Sequence, residues 1–485
     1  MSAKRLLLVS FLFVSVVSAF AQTPSFIRTD IKTGKPNLAN IVVGDFNGDH
    51  QPDLAVTSHS SADPHSIYLL LGNGDGTFSP PTLIASGCCS GLAAADFNGD
   101  GQLDLVFAGL GATSVLLGNG DGSFQPEKRS PSVASALTPL VLDLNRDGIL
   151  DLAFAAQGGG ISILLGNGDG TFTPAGTFPI TGGNVAVALA GADFNGDGIP
   201  DLAASNLWPN FPPFGTAVSV LRGNGDGTFG APVDFTAGPY PFSLVAGDFN
   251  RDGKPDLAVD NYQSTTVSVL LGLGDGTFLP HTDLPTSPFP QFLFAADLNA
   301  DGKLDLVLAE EPTGIGFLLG KGDGTFAAEQ EVLVPSLGSF ILGDLNSDGK
   351  PDLIATNGPS TLSVFLNTTV ADTTPPAIKV SANPSQLRPA DGRLAPVTLT
   401  GSIKDAGVGL APSASAFAVS DEYGQVHPHG PITLRTDGTF TVRVLLRASV
   451  RSADNNGREY VITVKAKDKS GNIGSAKTFV RVPLK

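Results

Sequence analysis

Asp193-Phe194-Asn195-Gly196-Asp197-Gly198-Ile199-Pro200-Asp201 places three carboxylates and one side-chain amide within nine residues. The same pattern, Asp-x-Asn-x-Asp-Gly-x-x-Asp, begins at Asp45, Asp96, Asp143, Asp193, Asp248, Asp297 and Asp344, with His50 replacing the Gly in the first copy. Successive copies lie 51, 47, 50, 55, 49 and 47 residues apart, a period expected of propeller-type arrays. One Asp-rich turn would be ordinary surface chemistry, because Asp, Asn and Gly favour turns for local reasons. Seven copies with every acid and every Asn in place require a shared purpose.

Each copy offers only oxygen ligands. They are Asp45, Asn47, Asp49 and Asp53; Asp96, Asn98, Asp100 and Asp104; Asp143, Asn145, Asp147 and Asp151; and Asp193, Asn195, Asp197 and Asp201. The last three sets are Asp248, Asn250, Asp252 and Asp256; Asp297, Asn299, Asp301 and Asp305; and Asp344, Asn346, Asp348 and Asp352. Such a set suits a hard divalent cation, calcium rather than zinc or copper. The opening positions match an EF-hand loop, but there is no Glu at position 12, so the Asp at position 9 is expected to be the bidentate acid. The residues after it, such as Leu202-Ala203-Ala204, read as a strand, so the loop joins strands. His50 tolerates positive φ, although the first loop is expected to bind most weakly.

A second pattern, Gly-x-Gly-Asp-Gly-Thr/Ser-Phe, follows the first six Asp loops at Gly72, Gly118, Gly166, Gly223, Gly272 and Gly320. Asp-Gly between β-runs signals a hairpin, and with no Lys-Ser/Thr or helix following, a phosphate loop is excluded. Every repeat therefore holds four strands, one propeller blade. The seventh stops at Asn367 without its last strand, and Ser25–Ile31 is available to supply it and close the ring, removing an exposed edge. The expected fold is all-β: a seven-bladed β-propeller followed by a small Ig-like β-sandwich.

Phrases such as Ala192 to Gly198 (Ala-Asp-Phe-Asn-Gly-Asp-Gly) and Leu164 to Phe172 (Leu-Leu-Gly-Asn-Gly-Asp-Gly-Thr-Phe) resemble the FG-GAP or VCBS repeat family, which includes the head propellers of integrin α-chains. The resemblance covers about residues 25–367. It implies a seven-bladed propeller with calcium between the first two strands of a blade. The chain departs from integrins by placing the loop in every blade and lacking their legs and anchor, so no integrin partner or signalling role carries over.

Lys4 and Arg5, an apolar run to Val17 and Ala19-Phe20-Ala21 form an export signal over 1–21. The mature chain is then expected to be secreted or at the cell surface, without membrane insertion. Adjacent Cys88 and Cys89 are the only cysteines; they make no disulfide framework and lack redox spacing. Removing Lys4 and Arg5 takes the net charge from -17 to -19, and seven divalent ions would bring it to -5. That acidity disfavours nucleic acid, which needs a basic patch.

The propeller is expected over 22–368 and a stiff linker over 369–376, with Pro375-Pro376. Over 377–485, β-rich runs at Ala377–Ser381, Val397–Ile403, Phe440–Leu446, Tyr460–Ala466 and Thr478–Val482 suit a sandwich. Its Asp-Thr-Thr-Pro-Pro opening and the turn from Lys467 to Asn472 are similar to bacterial Ig-like modules. His427 and His429 read as a surface loop.

Antiparallel strands put the Asp loops and glycine turns on one face of the disc and leave the other free to vary. From position 9 to the glycine turn the first six blades span 19, 14, 15, 22, 16 and 15 residues, so blades one and four carry extra loop. The candidate ligand-contacting residues on that second face are Trp208, Phe211, Phe214, Tyr240, Phe242 and Tyr262, with Phe289 and Gln291 nearby. Rigid aromatic platforms suit sugar rings or a partner protein. A non-enzymatic adhesion or recognition module for a protein or glycan is therefore expected. The alternative is a propeller-scaffold glycan hydrolase or lyase, for which Glu310 and Glu311 are the one acidic pair outside the loops worth inspecting.

Overall fold

A computed structural model describes residues 23–59, 65–87, 91–109, 112–131, 139–156, 159–181, 185–207, 215–310, 314–334, 337–369, 374–388, 390–405, 410, 415–421, 426–435, 437–450, 457–468 and 472–484. Residues Pro24–Thr369 form one compact unit and the described residues after them a second. The export signal, Cys88, Cys89, Trp208, Phe211, Phe214 and Glu311 lie outside the described residues. Among the described residues, no helix is long and apolar enough to cross a membrane.

The first unit consists of seven antiparallel four-stranded sheets among the described residues. Blade one is typical, with strands Leu38–Gly44, Asp53–Ser58, Ser66–Leu70 and Thr82–Ala85 in that spatial order. The innermost strand of each blade touches that of the next, and the seventh, Leu337–Gly343, returns to Leu38–Gly44. Blade seven borrows its outer strand as the sequence predicts: Phe26–Lys32 pairs with Thr361–Asn367, from Phe26↔Asn367 to Lys32↔Thr361.

Burial explains the strand sequences. The second and third strands lie between neighbouring blades and are buried on both faces, so Asp53–Ser58 and Ser66–Leu70 are buried throughout. Such strands read as continuous apolar runs rather than alternating ones. The outer strand Thr82–Ala85 is partly exposed, its apolar Leu83 included.

Blades are joined by aromatic pairs that neither motif reveals when read singly. The Phe after the first Asp of one loop meets the Phe that ends the next blade's glycine turn: Phe46–Phe124, Phe97–Phe172, Phe194–Phe278 and Phe249–Phe326, with centroids 6.1, 5.6, 5.5 and 5.8 Å apart. In three of these pairs a turn glycine also donates its N–H to the carbonyl of that first Phe, Gly122 to Phe46 (3.0 Å), Gly276 to Phe194 (2.8 Å) and Gly324 to Phe249 (3.1 Å).

A polar ladder crosses the strands of blades four, five and seven. In blade four Asn206 donates to Ser219 (2.7 Å), whose hydroxyl donates to Asp234 (2.6 Å). Asn261, Ser268 and Asp283 repeat it in blade five, and Asn357, Ser363 and Asp30 in blade seven. Blade six replaces these stations with Glu310, Gly316 and Glu331. The missing side chain at Gly316 leaves room for the Glu310 carboxyl, because a Cβ there would lie 3.0 Å from Glu310 Oε2 and 2.5 Å from Glu329 Oε1. Glu310 is 1% exposed. Burial, then its contacts with Glu329 and Glu331, push its pKa up to about 10.

The second unit has a three-stranded sheet, Ala377–Asn383, Leu394–Lys404 and Thr439–Arg447, and a four-stranded sheet ordered Val426–Pro431, Ala416–Asp421, Arg458–Lys467, Ile473–Val482. Both contribute to one core that includes Val397, Leu399, Phe440, Tyr460, Ile462 and Val480. All five predicted runs are strands. Two more were missed, and one corrects the reading of His427 and His429: they lie on Val426–Pro431, not on a loop. Pro428 and Gly430 mask the strand signal, and proline is tolerated because this is an edge strand.

Two outcomes follow for stability. Phe172→Ala should remove about 3–5 kcal/mol, read by urea denaturation; a loss under 1 kcal/mol would deny the inter-blade pairing a structural role. Glu310 is neutral in the fold but ionises in the unfolded chain above the ordinary carboxylate range, so its contribution is complete at low pH and is lost as pH rises towards about 10. Glu310→Gln should therefore leave Tm unchanged near pH 4 and raise it increasingly through pH 8, checked by thermal scans across pH.

Candidate functional site

All seven Asp loops share one hydrogen-bond plan. The first Asp accepts the N–H of position 6 at 2.7–3.0 Å. The Asn carbonyl oxygen accepts the N–H of position 5 at 2.9–3.1 Å. The second Asp accepts the N–H of position 7 at 2.7–3.1 Å. These bonds require left-handed backbone at position 6, where His50 indeed has φ 64°. Position 4 is left-handed too, even where it is Arg146, Arg251, Ala300 or Ser347.

Position 9 has a role the sequence reading did not assign. Asp53, Asp104, Asp151, Asp201, Asp256, Asp305 and Asp352 are all fully buried. One oxygen accepts the N–H of position 2 at 2.8–3.0 Å. In blades one to six the other accepts the N–H of the first glycine of that blade's own glycine turn at 2.7–2.9 Å. In blade seven, which lacks the turn, the Asn367 N–H takes that place at 2.6 Å. The turn must begin with glycine because a Cβ there would lie 2.1–2.3 Å from the carbonyl oxygen of position 8.

Burial raises the pKa of each of these acids against the two N–H bonds that lower it, to about 6 for Asp104 and Asp256 and about 7 for Asp305. In most loops the other two acids push it further up. Each loop thus gathers three mutually repelling carboxylates and an amide oxygen, a donor chemistry that fits calcium. Among the described residues, no three His, Cys, Asp or Glu groups are drawn together tightly enough to cage an ion. Lysines at position 7 also approach the second Asp in the last three loops: Lys303 Nζ is 2.6 Å from Asp301, Lys350 3.2 Å from Asp348 and Lys254 3.9 Å from Asp252.

On the opposite face the structure brings together three of the aromatics expected there, Phe242, Tyr262 and Phe289, and adds Phe292. Phe242 lies 5.3 Å from Tyr262 and 6.4 Å from Phe292, and Tyr262 lies 6.0 Å from Phe289, by ring centroids. Phe289 and Phe292 are 43% and 37% exposed. Tyr240 stands beside them, its carbonyl accepting the Tyr262 N–H at 2.9 Å. Tyr240, Phe289 and Phe292 have φ of 59°, 56° and 49°, strained for bulky side chains. Phe242 and Phe292 lie within bulges of their innermost strands. Below this cluster is the fully buried Asp260, whose Oδ1 accepts the Ser243 N–H at 2.7 Å and whose pKa burial raises well above the usual range. Glu310, by contrast, is buried within blade six's packing.

A family model of the FG-GAP-like repeat matches residues 45–107, 96–154, 143–204, 213–259 and 297–355. No curated protein matches the chain. Many solved structures align with it, three of which illustrate the likeness. An Agrocybe aegerita lectin, described as recognising non-reducing terminal N-acetylglucosamine, is 20% identical over 69% of this chain and 86% of its own, with a TM-score of 0.48. A Photorhabdus luminescens Tc holotoxin pore is 14% identical over 86% of this chain and 23% of its own, TM-score 0.35. A candidate 6-phosphogluconolactonase of Bacteroides fragilis is 17% identical over 64% of this chain and 88% of its own, TM-score 0.46. The matched repeats cover more than half of the chain and coincide with its Asp loops and blades; the chain belongs to the FG-GAP-like repeat family and folds as a β-propeller.

Proposed function

We propose that this chain is an exported recognition module that presents an aromatic face to a protein or glycan ligand, holds structural calcium in its Asp loops and catalyses no reaction. The observation that carries this reading is the Phe242, Tyr262, Phe289 and Phe292 cluster, aromatic surface held partly exposed by a strained backbone. Strain of this kind, of order 1–3 kcal/mol per residue, persists where the surroundings enforce it and concentrates at functional sites. Aromatic rings on rigid strands offer large contact area at little entropic cost. The hydrolase or lyase alternative needs two carboxyl groups at an open cleft, and buried Glu310 does not support it.

Calcium is supported by the oxygen-only donors and by repulsion among the three acids of a loop, which a divalent ion would offset. Extracellular sites bind at about 0.1–1 mM, so at about 1 mM calcium each would add roughly 0.4–1.4 kcal/mol. Seven would add roughly 3–10 kcal/mol, comparable to the whole stability of a domain.

Calcium at about 1 mM should therefore raise Tm by many degrees over a chelator-treated sample; equal Tm values would mean that the loops are turns only. Recognition is tested on a glycan array and with candidate protein ligands. Phe289→Ala and Tyr262→Ala should each weaken binding about tenfold or more without changing Tm in calcium. A ligand bound equally well by both variants would remove the aromatic face from the account.

A further inference from the structure

The pair His59 and His65 lies on the connection between the second and third strands of blade one, on the face away from the Asp loops. The last cross-strand partners there are Ser58 and Ser66. His59 and His65 are the next residues outward, so the hairpin stem itself sets them opposite each other. Their backbones are further fixed: the His59 N–H donates to the Asn37 carbonyl at 3.1 Å, and His65 has φ 51°, a left-handed conformation that histidine tolerates better than most residues.

The two Nδ1 atoms are 2.8 Å apart, with ring centroids separated by 4.6 Å and planes crossing at 87°. An in-line N–H···N bond between two imidazoles would hold the centroids roughly 5 Å apart; the rings are closer, so at least one is bent off the line between the nitrogens. Two imidazole nitrogens at about 2.0 Å from one ion, in neighbouring coordination positions, stand about 2.8–3.3 Å apart. The observed separation falls at the lower end of that span.

We propose that His59 and His65 form a two-imidazole clip for a d-block divalent cation such as nickel, copper or zinc, a site chemically distinct from the oxygen-only Asp loops. Imidazole nitrogen selects these metals over calcium. Burial and the neighbouring His65 both lower the pKa of His59, keeping that ring neutral and suited to ligation. In the metal-free pair one Nδ1–H is shared between the rings. On binding, both Nδ1 lone pairs go to the ion and the shared proton moves through solvent to the Nε2 of the same ring, so both imidazoles remain neutral. Among the described residues no third His, Cys, Asp or Glu completes a metal cage with them, so water or a ligand atom would fill the remaining positions.

The test uses untagged mature protein in excess calcium, so that the Asp loops are satisfied, titrated with nickel(II) by calorimetry and with copper(II) followed by electron paramagnetic resonance. One nickel equivalent is expected, weakened at least tenfold in His59→Ala and in His65→Asn. The Asn variant retains a residue suited to left-handed backbone, and unchanged Tm in calcium would show that both variants fold. Copper should show coupling to two nitrogens, and a His427→Ala/His429→Ala variant should bind as the wild type does. No bound nickel, binding unchanged by His59→Ala, or binding lost only in the His427/His429 variant would each overturn the proposal and leave the pair as a hydrogen bond alone.

Discussion

The ninth residue of every Asp loop is a carboxylate buried between two turns, and the rest of the propeller is arranged around the demand this makes. Removing a charge from water is costly unless hydrogen bonds replace the lost hydration. Here two backbone N–H groups do so, one from the same loop and one from the glycine turn of the same blade, or from Asn367 in blade seven. The acid therefore binds the connection between strands one and two to the connection between strands three and four. It also dictates sequence at a distance, because a Cβ on the glycine it meets would lie 2.1–2.3 Å from the carbonyl oxygen of position 8. The two repeated motifs are halves of one structural device.

The next level is built on that device. With its own turn fixed, the loop of blades one, two, four and five directs a Phe towards the following blade, where another Phe or a turn glycine meets it. Blades three, six and seven use Leu144, Leu298 and Leu345 at this position, all buried, so the requirement is for apolar volume and not aromaticity. The face that carries the loops is thereby committed to structure. Variation is confined to the other face, where blades five and six display aromatics, blade six exchanges an Asn-Ser-Asp ladder for stacked carboxyl groups, and blade one pairs two histidines.

The architecture was legible because it is periodic. Repeats, four strands per blade and closure by the N-terminal strand follow from spacing and from the seventh blade's missing last strand, and His50 at positive φ follows from residue chemistry. Less legible were features that depend on contacts between distant residues. The structural role of position 9 is hidden in the sequence because nothing local shows its glycine partner 14–22 residues away. Left-handed backbone at Arg146 or Ala300 leaves no glycine signal. The Glu310 cluster joins residues 19 and 21 positions apart in sequence, visible only once the strands are in register. Phe292 is exposed because a bulge turns it out, and bulges are not written in a strand's apolar pattern.

Hydrogen exchange in the loops addresses the buried carboxylate directly. The Phe97 and Gly118 amides both donate to Asp104, at 2.8 Å each. They should exchange among the slowest of any residues outside regular strands and accelerate together in Asp104→Asn, whose amide offers only one acceptor oxygen. Rapid exchange in the wild-type protein, or acceleration at only one of the two amides, would contradict the account that a single acid holds both turns.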